Sequence, residues 1–238
     1  MKNFLPILIL MLSFGSINAQ SVNKLKKELL NSIEQKSDEL ITMSDNIWHA
    51  AEVAFREEKS AQYLMEYAKQ NGFDVDSDLA GMPTAFTATF GEGSPVIGII
   101  GEFDALPGLS QTTVPYKNEL IEGGAGHGCG HNLFGTASLG AAVAIKELIE
   151  KGSLKGTVKY FGTPAEEKFF GKLWMIREGI FDNVDVVMDW HPADNTEANV
   201  QPSLALVDFM VEFTGQSAHA SADPVSYTHL RAHETTRH

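Results

Sequence analysis

Three short apolar runs, each ending in acidic or histidine residues, constrain this chain more than any other feature. Residues 96–100 lead into Glu102 and Asp104, residues 156–161 into Glu166 and Glu167, and residues 184–188 into Asp189 and His191. Each run has the length and composition of a buried strand. Segments with helical spacing lie before and between them. Val22, Leu25, Leu29, Ile33, Leu40 and Ile41 predict an amphipathic helix over residues 21–43. A second is predicted over 57–70, with Ala61, Leu64, Met65 and Ala68 near one face and Gly72 as its C-cap. Residues 132–150 and 168–178 predict two more, while 84–90 alternate as a strand before a turn at 91–95. Strands alternating with helices predict an α/β fold, a layered sandwich around a largely parallel or mixed sheet. In such sheets ligands gather beyond the carboxyl ends of the strands, which is where the polar clusters fall.

Composition narrows the partners. The 238 residues are 43% apolar and 21% charged, which excludes a disordered or collagen-like chain. The formal charge is -13 with no Lys/Arg stripe, so nucleic acid is not an expected partner. Lys2, the apolar residues 4–12 and Ala19 read as a secretory signal over residues 1–19, with an apolar stretch too short to span a bilayer. The protein is therefore expected to be exported, to the periplasm or the extracellular space. Export makes the single cysteine informative. Cys129 has no partner in the chain, so it is a buried small side chain, half of an interchain disulfide or a metal ligand.

The chemistry concentrates in Gly126-His127-Gly128-Cys129-Gly130-His131. Two residues apart among glycines, Cys129 and His131 can turn a thiolate and an imidazole toward one point, a pairing that borderline metals such as zinc accept. A glycine-rich loop with a buried cysteine and an incidental histidine would look the same. Glu166 and Glu167 follow a strand directly. One of the pair can bind metal while the other holds a proton, although carboxylates are also favourable at a solvated helix start. His191 is placed either as a further ligand or as a structural histidine. Asp104 can orient a ligating histidine through its second ring nitrogen. Glu102 either joins it in support or faces solvent. A cysteine nucleophile with a histidine base competes with the metal reading. That scheme leaves the carboxylate pair and His191 unused, whereas a metal site uses both.

Four ordered segments resemble the metallo-aminoacylase and hippurate-hydrolase family: Gly-Glu-Phe-Asp-Ala-Leu-Pro-Gly at 101–108, Gly-His-Gly-Cys-Gly-His-Asn at 126–132, Gly-Thr-Pro-Ala-Glu-Glu at 162–167 and Gly-Gln-Ser-Ala-His-Ala at 215–220. The aminobenzoyl-glutamate hydrolase branch is the most similar, and Asn132 fits it where many relatives place Asp. The resemblance implies a zinc-exopeptidase-like α/β/α catalytic domain carrying an inserted α+β dimerisation (lid) domain. It implies two divalent ions, zinc first with manganese or cobalt as alternatives. Cys129 would bridge them, with His131, Glu167 and His191 as further ligands. Glu166 would be the general base and acid, supported by Asp104, and His219 would reach an active site, often that of the partner in a dimer, to hold the oxyanion. His127 is left to the loop. The implied reaction is amide hydrolysis of an N-acyl amino acid, aminobenzoyl-glutamate or a related acyl-glutamate, by metal-activated water in a homodimer.

The pattern changes near residue 202. Residues 204–213 read as a long strand and 215–219 as a loop, so 20–202 is expected to be the first part of the catalytic domain and 203–224 the start of the inserted one. Residues 225–238 have no usable helix or strand face and read as non-native sequence. The matching sequence stops at Pro224, before a late histidine ligand, so the chain is expected to be an inactive fragment of the parent enzyme.

Overall fold

The computed structural model describes residues 21–198, 204–207, 209 and 211–212. The expected signal segment, His219 and residues 225–238 lie outside the described residues. The chain divides into two compact units, Met1–Asp194 and Asn195–His238.

The first unit carries the fold. Helix α1 covers residues 21–35 and is followed after one turn residue by α2, Ser37–Ala50. Next come α3 (Glu58–Gln70), the strands β1 (Asp74–Ser77), β2 (Phe86–Glu92) and β3 (Val96–Gly101), and the long α4 (His131–Glu150). Strand β4 (Gly156–Gly162), two short helices α5 (Glu166–Phe169) and α6 (Gly171–Arg177), and β5 (Val186–Met188) complete it. The sheet order is β1-β2-β4-β3-β5. β1 and β4 both run antiparallel to β2, while β3 runs parallel to β4 and to β5. The sheet is therefore mixed, as the alternating pattern predicts. Because β3, β4 and β5 share one direction, the loops that follow them leave from one edge.

Both faces are covered. Val158 and Tyr160 of β4 pack with Leu64, Phe103 and Leu139 in a core roofed by α3 and α4, with α2 against α4. Phe161 points the other way, by the two-residue period of a strand, into a smaller cluster with Met82 and Met175 of α6. Close approach of α4 to the sheet needs Gly135, where a Cβ would lie 2.7 Å from the Glu102 carbonyl oxygen. The Tyr160 hydroxyl donates to the Gly135 carbonyl at 3.1 Å and fastens the same contact.

Several expectations shift. The first helix is broken at Lys36 and then runs on to Ala50, beyond residue 43. Within that extension Ser44 is buried and accepts the Asn132 amide at 3.0 Å, which satisfies its hydroxyl inside the helix. Strand β1 escapes a reading by apolar pattern because it is Asp-Val-Asp-Ser, an edge strand specified by pairing with β2. The helix expected over 168–178 is two helices, divided at Phe170 in the left-handed region. Residues 204–207, 209 and 211–212 are not strand, contrary to expectation. Alternation of apolar residues supplies a face, but a strand also needs a neighbouring backbone to bond.

Candidate metal centre

His131 is the hub. It is the first residue of α4, fully buried, and follows Gly130 in the left-handed conformation. That glycine is also a point of contact. A Cβ there would lie 2.9 Å from Pro192, so a side chain would push away the segment that carries His191. The His131 Nδ1 faces the Asp104 carboxylate at 3.0 Å and the Asp104 carbonyl at 3.2 Å. Nδ1 donates there, which fixes the direction of the ring and turns Nε2 toward the Glu102 carboxylate, the orienting arrangement expected behind a ligating imidazole. Asp104 does more than orient the ring. Its Oδ2 accepts the backbone N–H of Glu167 at 2.9 Å, so one buried carboxylate ties the start of α4 to the start of α5.

The sequence-predicted donors meet around this ring. Cys129 Sγ lies 3.4 Å from His191 Nε2, and the two imidazoles of His131 and His191 are edge to face with centroids 5.6 Å apart. His191 Nδ1 donates to the Pro192 carbonyl at 2.9 Å, which leaves Nε2 free to donate an electron pair. Cys129, His131 and His191 each bring a ligand atom within 4.8 Å of the others, and so do Glu102, His131 and Glu166. Glu167 Oε1 lies 3.7 Å from His131 Nδ1. Glu102 is buried, not solvent-facing, with Oε2 3.0 Å from His131 Nε2 and its other oxygen on the Lys172 ammonium. His127 stands apart, its Nε2 donating to the Ile47 carbonyl at 3.1 Å.

These residues fit divalent cations. Among the described residues, Glu167 Oε1 is buried without a hydrogen-bond partner, and Glu102 Oε2 and His131 Nε2 have only each other, at 3.0 Å. Imidazole and carboxylate groups converging in a buried space, with a thiol beside them, make the donor set of a borderline metal. The protonation pattern agrees. Burial alone would lower the His131 pKa, but Asp104 and Glu102 overcome it and push the group up to about 10. Burial raises Glu167, and Asp104 and Glu166 add to the rise against the opposing pull of His131. Burial, then Glu167, Glu166 and Glu102, push the Cys129 thiol up to about 11. So much convergent negative charge calls for a cation.

Sequence reasoning missed a layer of support behind this cluster. Glu52 caps α3, accepting the N–H groups of Lys59 at 3.1 Å and Ser60 at 2.9 Å, and its carbonyl accepts the Ala105 N–H at 2.8 Å. Glu57 is wholly buried, and burial pushes its carboxyl up to about 7. In the run Arg56-Glu57-Glu58-Lys59 it reads as one more solvated charge, and no local signal distinguishes it.

An α/β/α unit whose parallel strands deliver imidazole, thiol and carboxylates to one edge defines a metallohydrolase type of architecture. The chain belongs to peptidase family M20/M25/M40, which matches residues 98–234. It is 40% identical over 195 residues to one of the subunits of p-aminobenzoyl-glutamate hydrolase from Escherichia coli, covering 82% of this chain and 40% of that protein. Xaa-Arg dipeptidase of Mus musculus is 30% identical over 227 residues, covering 88% of this chain and 48% of the relative. The chain thus spans less than half the length of these relatives. Among solved structures, a dinuclear metal-binding peptidase of the M20 family from Bacillus subtilis superposes with a TM-score of 0.56 at 26% identity, covering 65% of this chain and 42% of that one.

Proposed function

We propose that the protein hydrolyses the amide bond of an N-acyl amino acid, with p-aminobenzoyl-glutamate or a related acyl-glutamate as the first substrate to try. The observation that carries this reading is the convergence of thiol, imidazole and carboxylate donors on His131. The similarity to the Escherichia coli p-aminobenzoyl-glutamate hydrolase supplies the substrate class. Cys129, His131, Glu167 and His191 would hold two divalent ions, zinc first. Such ions supply Lewis acidity, which polarises the scissile carbonyl and lets water give up a proton near neutrality. Glu166 takes that proton as the water oxygen bonds to the acyl carbon. It then passes the proton to the departing nitrogen as the carbon–nitrogen bond breaks, leaving a carboxylate and a free amine. Asp104 keeps the His131 ring and the Glu167 backbone in register for this chemistry. His219 would stabilise the developing oxyanion in a homodimer, and the protein would act after export.

A thiol nucleophile has one observation in its favour, the 3.4 Å approach of Cys129 Sγ to His191 Nε2. Burial and three carboxylates push that thiol up to about 11, the opposite of what a nucleophilic cysteine needs. The test uses the protein encoded by the complete gene, assayed for metal content and for hydrolysis of a panel of acyl-amino acids. Glu166→Gln should keep its metal and lose at least about a hundredfold in kcat. Full activity in that variant overturns the mechanism. Activity that survives exhaustive metal removal overturns the whole class and favours the thiol.

A further inference from the structure

The carboxylate pair Glu166-Glu167 begins on a conformation that its own sequence does not favour. Ala165 sits at φ 57 and ψ 38, in the left-handed region, and the short helix that follows ends on another left-handed residue, Phe170 at φ 54. Alanine rarely adopts this conformation unless its surroundings impose it. Two contacts impose it here, both from the segment between α2 and α3. Glu57 Oε1 accepts the Ala165 backbone N–H at 2.8 Å, across 108 positions of sequence. Glu57 Oε2 accepts the Thr84 hydroxyl at 3.2 Å, which fixes the direction of the carboxylate. Phe55, itself left-handed at φ 61, stacks on Phe169 with centroids 4.9 Å apart, so the same segment grips both ends of α5. Glu57, Thr84 and Ala165 are all buried, and water does not compete for these bonds.

We propose that Glu57 is a positioning residue of the hydrolytic site: by accepting the Ala165 amide and the Thr84 hydroxyl, it locks the left-handed turn from which Glu166 and Glu167 are presented. It touches neither substrate nor metal. Its effect passes through one backbone hydrogen bond to the two carboxylates that follow. This role rests on the hydrolytic reading above, and the experiment separates the two.

Glu57→Met fills a similar volume without an acceptor, whereas Glu57→Gln keeps one for Ala165 and a group to face Thr84. Cobalt(II) affinity, its thiolate charge-transfer band, kcat and KM are all measured on the protein from the complete gene. Glu57→Met should bind cobalt about 10- to 100-fold more weakly, the range for groups that orient ligands, with kcat reduced and KM within about twofold. Glu57→Gln should restore both to within about threefold. If the Met variant is insoluble, Glu57→Asp carries the same expectation, since it keeps the charge but is one methylene too short to reach Ala165. A Met or Asp variant that binds cobalt and turns over like wild type overturns the inference, as does a Gln variant no better than Met. Wild-type protein that binds no cobalt at all overturns the hydrolytic reading instead.

Discussion

The two halves of the candidate centre are built differently. Asp104, Glu102 and His131 lie in the core, at the end of β3 and the start of a twenty-residue helix, with exposures of 6% or less. Cys129 is half-buried, and His191 is exposed beyond β5, a strand whose three residues are themselves exposed. The buried half is held by protein contacts whether or not a cation is present. The exposed half has the 3.4 Å thiol–imidazole approach, the edge of His191 against His131, and the Trp190 indole, which donates to Ser138 on α4 at 3.1 Å. The contrast divides labour. The core half fixes the direction of its groups through buried contacts, and the rim half is held by fewer and more exposed ones.

The sharpest way to break this comparison is to remove the hub. His131→Ala leaves Asp104, Glu102 and Glu167 facing one another in the core and should cost about 3–5 kcal/mol of stability, as for other broken buried pairs, together with all cation binding. Urea unfolding and metal analysis of the same preparation read both. A loss confined to metal binding would mean that the core half is no more built in than the rim.

A smaller effect on the core side comes from pH. The Glu57 carboxyl is raised from 4.5 to about 7 in the fold by burial, with Asp104 adding to the rise. The folded state therefore holds a proton that the unfolded chain has released, so this group's contribution to stability falls as pH rises from about 4.5 through 7. Linkage puts the full swing on the order of 3 kcal/mol. Glu57→Gln should flatten that part of the stability–pH curve, and an unchanged curve would show that Glu57 does not hold the proton. The smallest effect belongs to the rim. Cys129→Ser should alter metal-free stability by no more than about 0.5 kcal/mol while weakening cation binding. A destabilisation comparable with that of His131→Ala would erase the distinction between the halves.

Much of the architecture was legible because strands and helices leave different periods in a sequence. β3, β4 and α4 fall within two residues of where their apolar patterns put them, and Gly72 does close α3, at φ 80. The three polar clusters were readable for the same reason, since a residue just past a strand is visible without knowing what it faces. Glu102 and Glu57 were not readable in that way. By sequence Glu102 fits support and surface equally well, and only its burial beside His131 decides. Glu57 looks like part of a charged run, and its partner Ala165 is far away in sequence.

The sequence by itself determined the inventory: an α/β chain of the M20/M25/M40 family, with a thiol, two imidazoles and a carboxylate pair at loops after strands. Local patterning suffices for that, because side-chain period and turn chemistry act over a few residues. The tertiary structure alone decided which donors share a point, what each histidine nitrogen faces, and which acidic residue holds the turn before Glu166. Those depend on parallel strands bringing three loops to one edge, and on hydrogen bonds closed between residues a hundred positions apart.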